Sequence, residues 1–348
     1  MTMQKKKTTV RDVIVIGFAL FSMFFGAGNV VFPPYLGLEA GPEWLTGFTT
    51  YFIADIGLAL VGLFALLRVG SSEAVLNRVG RVPAEILMCA IILCIGPMVA
   101  IPRTSASTYE MAIAPNISGV SPILFSAIFF ALILALCIKE SAVVDIVGKI
   151  LTPLLLVGLF VIIVKGIVTP LGDIAALPQI NNVAVTGIKA GYQTMDALAA
   201  LNFGAVIALN IRTRGIDEEG EVRRGTISAG LIAGALLLAV YSMLTHAGAL
   251  SGAAFPGGAT GADTLTSLAL GLFGRGGQML LAAIFVIACF NTCVGLISSV
   301  GQYFHELMHL PYPAVAAFFA VTSMLISNLG LAGIIRIESG CTHSTEIH

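Results

Sequence analysis

The sequence predicts an all-α, polytopic membrane protein. Of its 348 residues, 57% are hydrophobic, only 11% are Asp, Glu, Lys or Arg, and the mean hydropathy is +0.97. A soluble domain carries roughly 25% charged residues. Continuous apolar runs recur along the chain, each long enough to cross about 30 Å of hydrocarbon as a helix. The composition excludes a cytosolic enzyme, a nucleic-acid-binding module and a disulfide-stapled secreted domain.

Hydropathy places about nine membrane-spanning helices along the chain. They lie near residues 13–34, 43–67, 83–102, 120–138, 143–168, 190–211, 226–250, 277–300 and 312–330. Pro97 and Pro102 interrupt the third of these, since proline removes a helical hydrogen bond. The connection at 251–276 begins as Gly-rich coil and shows a short apolar helix pattern from Asp263. That segment is either a lid or a plain connector.

The basic residues predict how the helices are oriented. Most of the 18 Lys and Arg residues fall in segments on the same side of the membrane as the N-terminus. The residues expected on the opposite side are Arg103, Lys165, Lys189, Arg275 and Arg336. Because Lys and Arg concentrate in cytoplasmic segments, we expect the N-terminus of this multi-pass protein to be cytoplasmic.

The first span contains a candidate helix break. Its sequence, FALFSMFFGAGNVVFPPYLG (18–37), has Gly26, Gly28 and Asn29 in the middle and two prolines further on. An interruption at membrane depth is tolerated only where it is buried in protein or lines a cavity. The small residues could instead form a close-packing helix face. The Asn and the double proline favour a true break, whose free backbone groups can meet a ligand.

The sixth span, GIKAGYQTMDALAALNFGAVIALN (187–210), is interrupted in the same way by Gln193, Thr194, Asp196 and Asn202. An Asp inside the membrane is costly and indicates either a functional site or a structural hydrogen bond. Spans one and six are five helices apart, and an odd offset turns the second set upside down relative to the first. Paired breaks of this kind are typical of inverted-repeat secondary transporters. The sequence therefore predicts a transporter rather than a channel or a scaffold.

A further acidic residue, Asp55, lies in the middle of span two with no basic residue near it in the sequence. Such a residue is protonated, paired across the bundle, or part of a proton relay. The sequence contains no nucleotide-binding or hydrolase motif, so we expect no enzymatic activity and no cofactor other than a coupling ion.

Five segments resemble, in the same order, those of the bacterial branched-chain amino acid transport system II carriers, a family of branched-chain amino acid:cation symporters. They are FALFSMFFGAGNVVFPPYLG, IGPMVAIPRT, GKILTP, GYQTMDALAALNFG and ISNLGLAGII. The resemblance covers about residues 10–337. It implies symport of leucine, isoleucine and valine with Na⁺ or H⁺ across the bacterial inner membrane. It also implies a 5+5 inverted-repeat fold in a single transmembrane domain, 1–337, with repeats at about 10–170 and 187–337.

The resemblance also implies where substrate and cation bind. The amino acid's carboxylate is expected on the amides of Ala27 and Gly28, and its ammonium on carbonyls of the second break. The residues expected to hold the substrate are Phe24, Gly26, Ala27, Gly28, Asn29, Gln193, Thr194, Met195 and Asp196. Those expected at a Na⁺ site are Ser22, Phe25, Val294, Ile297 and Ser298. Ile297 lacks a hydroxyl, which leaves Na⁺ and H⁺ both open.

The end of the sequence departs from the family pattern. Residues 338–348 form a polar tail that cannot span a membrane, whereas carriers of this family continue through further helices. The second repeat is then incomplete. Two alternatives to an active branched-chain carrier follow: a truncated, transport-inactive remnant, and a related symporter for another apolar solute.

Overall fold

The structure, a computed structural model, describes residues 9–69, 80–138, 146–169, 172–216, 218–252 and 261–330. Regular structure within these ranges is helical throughout, which confirms the all-α class. The polar tail at 338–348 and the last residues of the predicted second repeat lie outside the described ranges.

The first part of the chain forms helices α1 to α8. They are α1 Val10–Phe24, α2 Ala27–Ala40, α3 Trp44–Phe52, α4 Leu58–Val69, α5 Arg81–Leu93, α6 Ala100–Thr108, α7 Pro122–Cys137 and α8 Thr152–Val168. Wider, π-helical turns adjoin several of them, at Ile53–Gly57, Cys94–Met98, Tyr109–Ile113 and Val147–Leu151. Such turns are frequent at functional sites, and Asp55 lies in the one that joins α3 to α4.

The second part of the chain forms helices α9 to α14. They are α9 Val183–Gln193, α10 Asp196–Thr213, α11 Glu219–Ala249, α12 Gly261–Phe273, α13 Arg275–Met308 and α14 Tyr312–Ser327. Helix α12 confirms the short apolar helix predicted in the 251–276 connection, and it packs against α2 and α13.

Several of these helices are long and apolar enough to cross a membrane. Among the described residues, five helical runs meet that criterion by themselves: Ala27–Arg68, Val82–Ile113, Val147–Val168, Glu219–Ala249 and Arg275–Met308. The pair α9 and α10, bent by 41° at its break, forms a sixth candidate. Helices α7 and α14 are shorter and apolar. The number nine, the inverted repeats and the cytoplasmic N-terminus stay predictions.

The third span continues past its predicted end at residue 102. The helical run extends to Ile113 and is kinked in the turn Cys94–Met98, where Gly96 has non-helical angles of φ −92° and ψ −117°. The wider turn accommodates Pro97, which lacks the N–H of a regular helix. Arg103, which follows the predicted end of this span, therefore lies within helix α6.

The predicted interruption of the first span is present between α1 and α2. Phe25 leaves the helical region with ψ 76°, and Gly26 is extended with ψ −165°. Helix α2 then contains Pro33 and Pro34 rather than ending at them, so the span reaches Ala40 and not the predicted residue 34.

The start of α1 is connected to the end of α10. Thr9 and Asp12 cap α1 reciprocally, each accepting a hydrogen bond from the other's backbone. The Asp12 carboxylate also pairs with Arg214 at 2.7 Å. This contact fixes α1 against the helix that follows the second break.

Close packing of α2 on α11 holds the first break in position. A Cβ atom on Gly37 would overlap the carbonyl oxygen of Thr245, and one on Gly248 would overlap that of Pro34. The two backbones therefore touch directly, as small residues permit in membrane helices. This approach brings Asn29 of α2 within reach of Tyr241 of α11.

The substitution Gly248→Ala tests this packing. The added methyl must displace the α2 backbone, and overpacking of this kind typically costs about 1–3 kcal/mol. We expect a lower midpoint for thermal unfolding of the detergent-solubilised protein. Gly220→Ala in the same helix is the matched control, since a Cβ there meets open space. An equal midpoint for both variants would contradict the close approach.

Candidate functional site

The two helix breaks face one cavity. Its volume is about 420 Å³, counting the open space at its mouth. It is lined by Met23, Phe24, Gly26, Ala27, Gly28, Asn29, Ile95, Ala100, Arg103, Thr104, Thr194, Met195, Asp196, Ala199, Phe203, Thr292 and Leu296. These residues come from the end of α1, from both breaks, from the turn Cys94–Met98 and α6, from α10 and from α13.

Most of the residues predicted to hold a substrate lie in this lining. They are Phe24, Gly26, Ala27, Gly28, Asn29, Thr194, Met195 and Asp196. Gln193 is exposed and is not part of this lining, but its carbonyl oxygen accepts a hydrogen bond from Arg103 at 3.3 Å. The fold thus brings predicted site residues from two distant segments of the chain together at one cavity.

The first break presents the N-terminus of α2 to the cavity. Gly26 occupies the N-cap position and supplies no side-chain hydrogen bond to the first turn. The first amides of a helix lack intrahelical partners and carry a partial positive charge. A Cβ on Gly26 would lie 3.1 Å from Thr292 Oγ1, so glycine lets α13 approach the break closely. The break is therefore suited to an anionic group.

The second break centres on Met195. This residue has φ 65°, in the left-handed region that non-glycine residues rarely adopt, at a cost of about 1–3 kcal/mol. Such strain concentrates at functional sites. Thr194 precedes it, and Asp196 begins α10 directly after it.

A buried polar network links the two breaks. The side-chain amide of Asn29 donates one hydrogen bond to Asp196 Oδ2 at 2.7 Å and another to the Tyr241 hydroxyl at 2.5 Å. On the other side of the second break, Thr194 Oγ1 lies 2.8 Å from Asp55 Oδ1. Asp55 is 0% exposed and Asp196 is 6% exposed. Asp55 therefore contacts the second break from across the bundle.

An apolar side of the cavity adjoins this polar network. The rings of Phe24 and Phe203 meet edge to face, with centroids 5.1 Å apart. Other apolar side chains complete this surface: Met23, Ile95, Met195 and Leu296. The cavity therefore combines a hydrophobic wall with a small number of buried polar groups.

Arg103 is a cavity residue that the prediction of the site missed. It lies in α6 and lines the cavity on the side of Gln193, whose carbonyl it binds. The two prolines before it suggested the end of a span. The available signal was its own charge, because an Arg inside an otherwise apolar helix faces a cavity or a partner by default.

The residues predicted for Na⁺ lie on α1 and α13 but separate into two groups of contacts. Ser22 Oγ accepts a hydrogen bond from Asn291 Nδ2, and the Thr292 hydroxyl lies 3.4 Å from the Ser22 carbonyl. The Val294 carbonyl and the Ser298 hydroxyl instead both contact Cys137 of α7. Convergence of the five residues on one cation stays a prediction.

These features define a class of protein. The protein has long apolar helices, and two of them are broken at the same cavity. Helix ends and buried charges face the break. This is the architecture of a secondary transporter.

Comparison with known proteins identifies the family within this class. The family model for branched-chain amino acid transport proteins matches residues 9–339. The chain belongs to this family, which comprises transporters and not enzymes.

Individual relatives agree with this assignment. The branched-chain amino acid permease BraB of Bacillus subtilis (strain 168) is 36% identical over 342 residues, covering 96% of this chain and 77% of the permease. The branched-chain amino acid transport system 2 carrier protein of Pseudomonas aeruginosa (strain PAO1) is 37% identical over 332 residues, covering 94% and 76%.

A solved structure shares the fold. A Na⁺-coupled sialic acid symporter superposes with a TM-score of 0.63 at 14% sequence identity, covering 93% of this chain and 74% of that one. At this identity the likeness concerns the arrangement of helices alone.

The substitution Asn29→Val tests the network that joins the breaks. It removes both amide hydrogen bonds and leaves Asp196 and Tyr241 buried without this donor, which typically costs about 1–3 kcal/mol. We expect a lower midpoint for thermal unfolding. We also expect Tyr241→Phe to lower the midpoint less in the Asn29→Val background than in the parent protein, because the two residues share one hydrogen bond. Asn181→Val, in an exposed connection, is the control. Strictly additive effects would argue against the network.

Proposed function

We propose that this chain is a cation-coupled symporter that imports leucine, isoleucine and valine across the bacterial cytoplasmic membrane. Family membership supports branched-chain amino acids as the substrate class. The structural observation that carries the proposal is a cavity with one basic and one acidic side chain, Arg103 and Asp196, beside an apolar wall. A zwitterion with an aliphatic side chain complements these three features.

The two charged ends of the amino acid have separate partners in this proposal. The carboxylate faces the amides of Ala27 and Gly28 at the start of α2, where the helix dipole favours an anion. Arg103 adds positive charge on the same cavity. The ammonium faces Asp196 and the free carbonyls of the second break, and Arg103 keeps the Gln193 carbonyl in place.

The aliphatic side chain packs against the wall formed by Phe24, Phe203 and Met195. Selection among branched side chains then depends on the shape of this wall, where one methylene group is worth only about 1–3 kcal/mol. Leucine, isoleucine and valine differ by such amounts, so one cavity can accept all three. A polar or charged side chain would lie unpaired against the rings.

The coupling ion is Na⁺ or H⁺. The sialic acid symporter of similar fold is coupled to Na⁺. The predicted Na⁺ ligands here are the carbonyls of Ser22 and Phe25 with Val294, Ile297 and Ser298. Carbonyl and hydroxyl oxygens suit a hard cation. The alternative ion is a proton, for which a buried carboxyl group is the usual carrier.

Uptake of radiolabelled leucine into vesicles containing this chain tests the proposal. We expect uptake driven by an inward Na⁺ or proton gradient, and competition by excess isoleucine and valine but not by lysine or aspartate. Absence of leucine binding to the purified, folded protein would refute the substrate assignment. Binding without uptake would favour the transport-inactive remnant, and competition by a different apolar solute alone would favour a related symporter.

Arg103→Gln is expected to reduce leucine uptake by about tenfold or more, since a hydrogen bond to a charged group contributes about 1.5–3 kcal/mol. Arg103→Lys retains the charge and should lose less. Arg275→Gln, at an exposed helix start, is the matched control and should transport like the parent protein. Equal uptake by Arg103→Gln and the control would exclude Arg103 from the site.

A further inference from the structure

Two acidic side chains, Asp55 and Asp196, meet at the second helix break. They come from the turn between α3 and α4 and from the first residue of α10. Thr194 connects them, because its hydroxyl oxygen lies 2.8 Å from Asp55 Oδ1 and 3.5 Å from the Asp196 backbone nitrogen. Both are buried at the depth of the cavity, but only Asp196 lines it. Two ionised carboxylates buried near each other repel strongly, so such pairs share a proton.

The hydrogen bonds of Thr194 indicate which carboxyl group carries that proton. Thr194 Oγ1 lies 2.6 Å from the Gly191 carbonyl and 2.8 Å from Asp55 Oδ1. A hydroxyl has one hydrogen to donate, and a carbonyl oxygen can only accept. When Thr194 donates to Gly191, the hydrogen in the second contact must therefore belong to Asp55.

The local backbone supports this direction. The Met195 amide donates to the Tyr192 carbonyl at 3.2 Å, so the helical bond from residue 195 to Gly191 is not made. The Thr194 hydroxyl is then the donor that the structure gives to the Gly191 carbonyl. A buried carbonyl left without a donor is costly, which favours a neutral Asp55 that donates to Thr194.

Two further observations distinguish the carboxyl groups. Asp196 Oδ2 accepts a hydrogen bond from Asn29, and such a donor stabilises the ionised form of this carboxyl group. The second oxygen of Asp55 and the hydroxyl of Tyr51 are both buried, and neither makes a hydrogen bond of ordinary length, although the two groups lie close enough to interact. A buried carboxylate oxygen without a donor costs far more than the oxygen of a neutral acid. The pair thus fits one proton, held on Asp55.

We propose that Asp55 is a reversible proton-binding site, with Asp196 as its ionised partner at the cavity. The inference rests on the proposed transport function and assigns its coupling ion as a proton. The Asp55 carboxylate takes up a proton from water and becomes a neutral carboxylic acid, which later releases the proton to water. After it loses the proton, Asp55 can only accept a hydrogen bond. The Thr194 hydroxyl then donates to Asp55 and no longer to the Gly191 carbonyl. This change of partner alters the break that forms the substrate site.

The surroundings of the pair are compatible with this role. Among the described residues, the ionisable groups that interact with Asp55 or Asp196 from the elements around them are Tyr51 of α3, Tyr241 of α11 and Arg103 of α6. Tyrosine is neutral near pH 7 and arginine is always charged. The carboxyl pair is therefore the part of this cluster that changes its protonation within the physiological range.

The proton site predicts how leucine binding depends on pH. Binding to the parent protein should weaken as pH rises through the titration of Asp55, by up to about tenfold per pH unit, the slope for one linked proton. Asp55→Asn can donate to Thr194 as the neutral acid does. We expect it to bind leucine with a flat pH profile and to exchange leucine across vesicles without being driven by a proton gradient. Asp173→Asn, which removes an exposed carboxylate, should behave like the parent.

Infrared spectroscopy of the same proteins, without leucine, tests the site independently of transport. The parent and Asp173→Asn should show the carbonyl stretch of a protonated carboxylic acid that disappears at alkaline pH, and labelling with ¹³C-aspartate should shift it. Asp55→Asn should lack it. If Asp55→Asn does not fold, titration of the isotope-shifted band in the parent still decides whether a buried aspartic acid is protonated.

The outcomes separate this inference from the proposed function. A parent protein that lacks the band, or an Asp55→Asn variant that keeps it, overturns the proton site. So does leucine binding that is independent of pH in the parent, or equally pH-dependent in both proteins. Failure of the parent to bind leucine at any pH refutes the proposed function instead, while the infrared result still stands.

Discussion

The structure depends on one constraint: backbone groups that leave a helix inside a membrane need partners from elsewhere in the protein. Two helices are interrupted here, and each interruption faces the other across a single cavity. Asn29 connects them by its hydrogen bonds to Asp196 and Tyr241. The breaks therefore stabilise each other's surroundings, and the amides and carbonyls that remain are available to a ligand.

Tight helix packing makes this arrangement possible. Glycines let the backbones approach where a side chain would collide, as Gly37 and Gly248 do between α2 and α11 and as Gly26 does beside α13. Membrane helices gain little from the hydrophobic effect against each other, so close contact and buried hydrogen bonds carry the association. The rigid frame outside the breaks supports the strained conformation at Met195.

The fold class and most of the site could be predicted because both follow from local physical rules. Apolar runs predict membrane helices, and Gly26, Asn29 and Asp196 break a pattern that lipid would otherwise require to be continuous. Arg103 could not be placed in this way, because a proline before it can either end a helix or only kink it. Here the wider turn at Cys94–Met98 accommodates the proline, so the helix continues through Arg103. The interaction of Asp55 with Thr194 spans 139 residues of sequence, and only packing shows it.

In the proposed function, the positions of the charges let one site select a zwitterion and respond to a proton. Arg103 and Asp196 face the cavity, where they complement the ends of an amino acid, whereas Asp55 lies behind the lining. Thr194 belongs to both regions, because it lines the cavity and contacts Asp55. In the proposed mechanism, a change in the charge of Asp55 reaches the cavity through the Thr194 hydroxyl and the backbone of the break, without direct contact between the proton and the substrate.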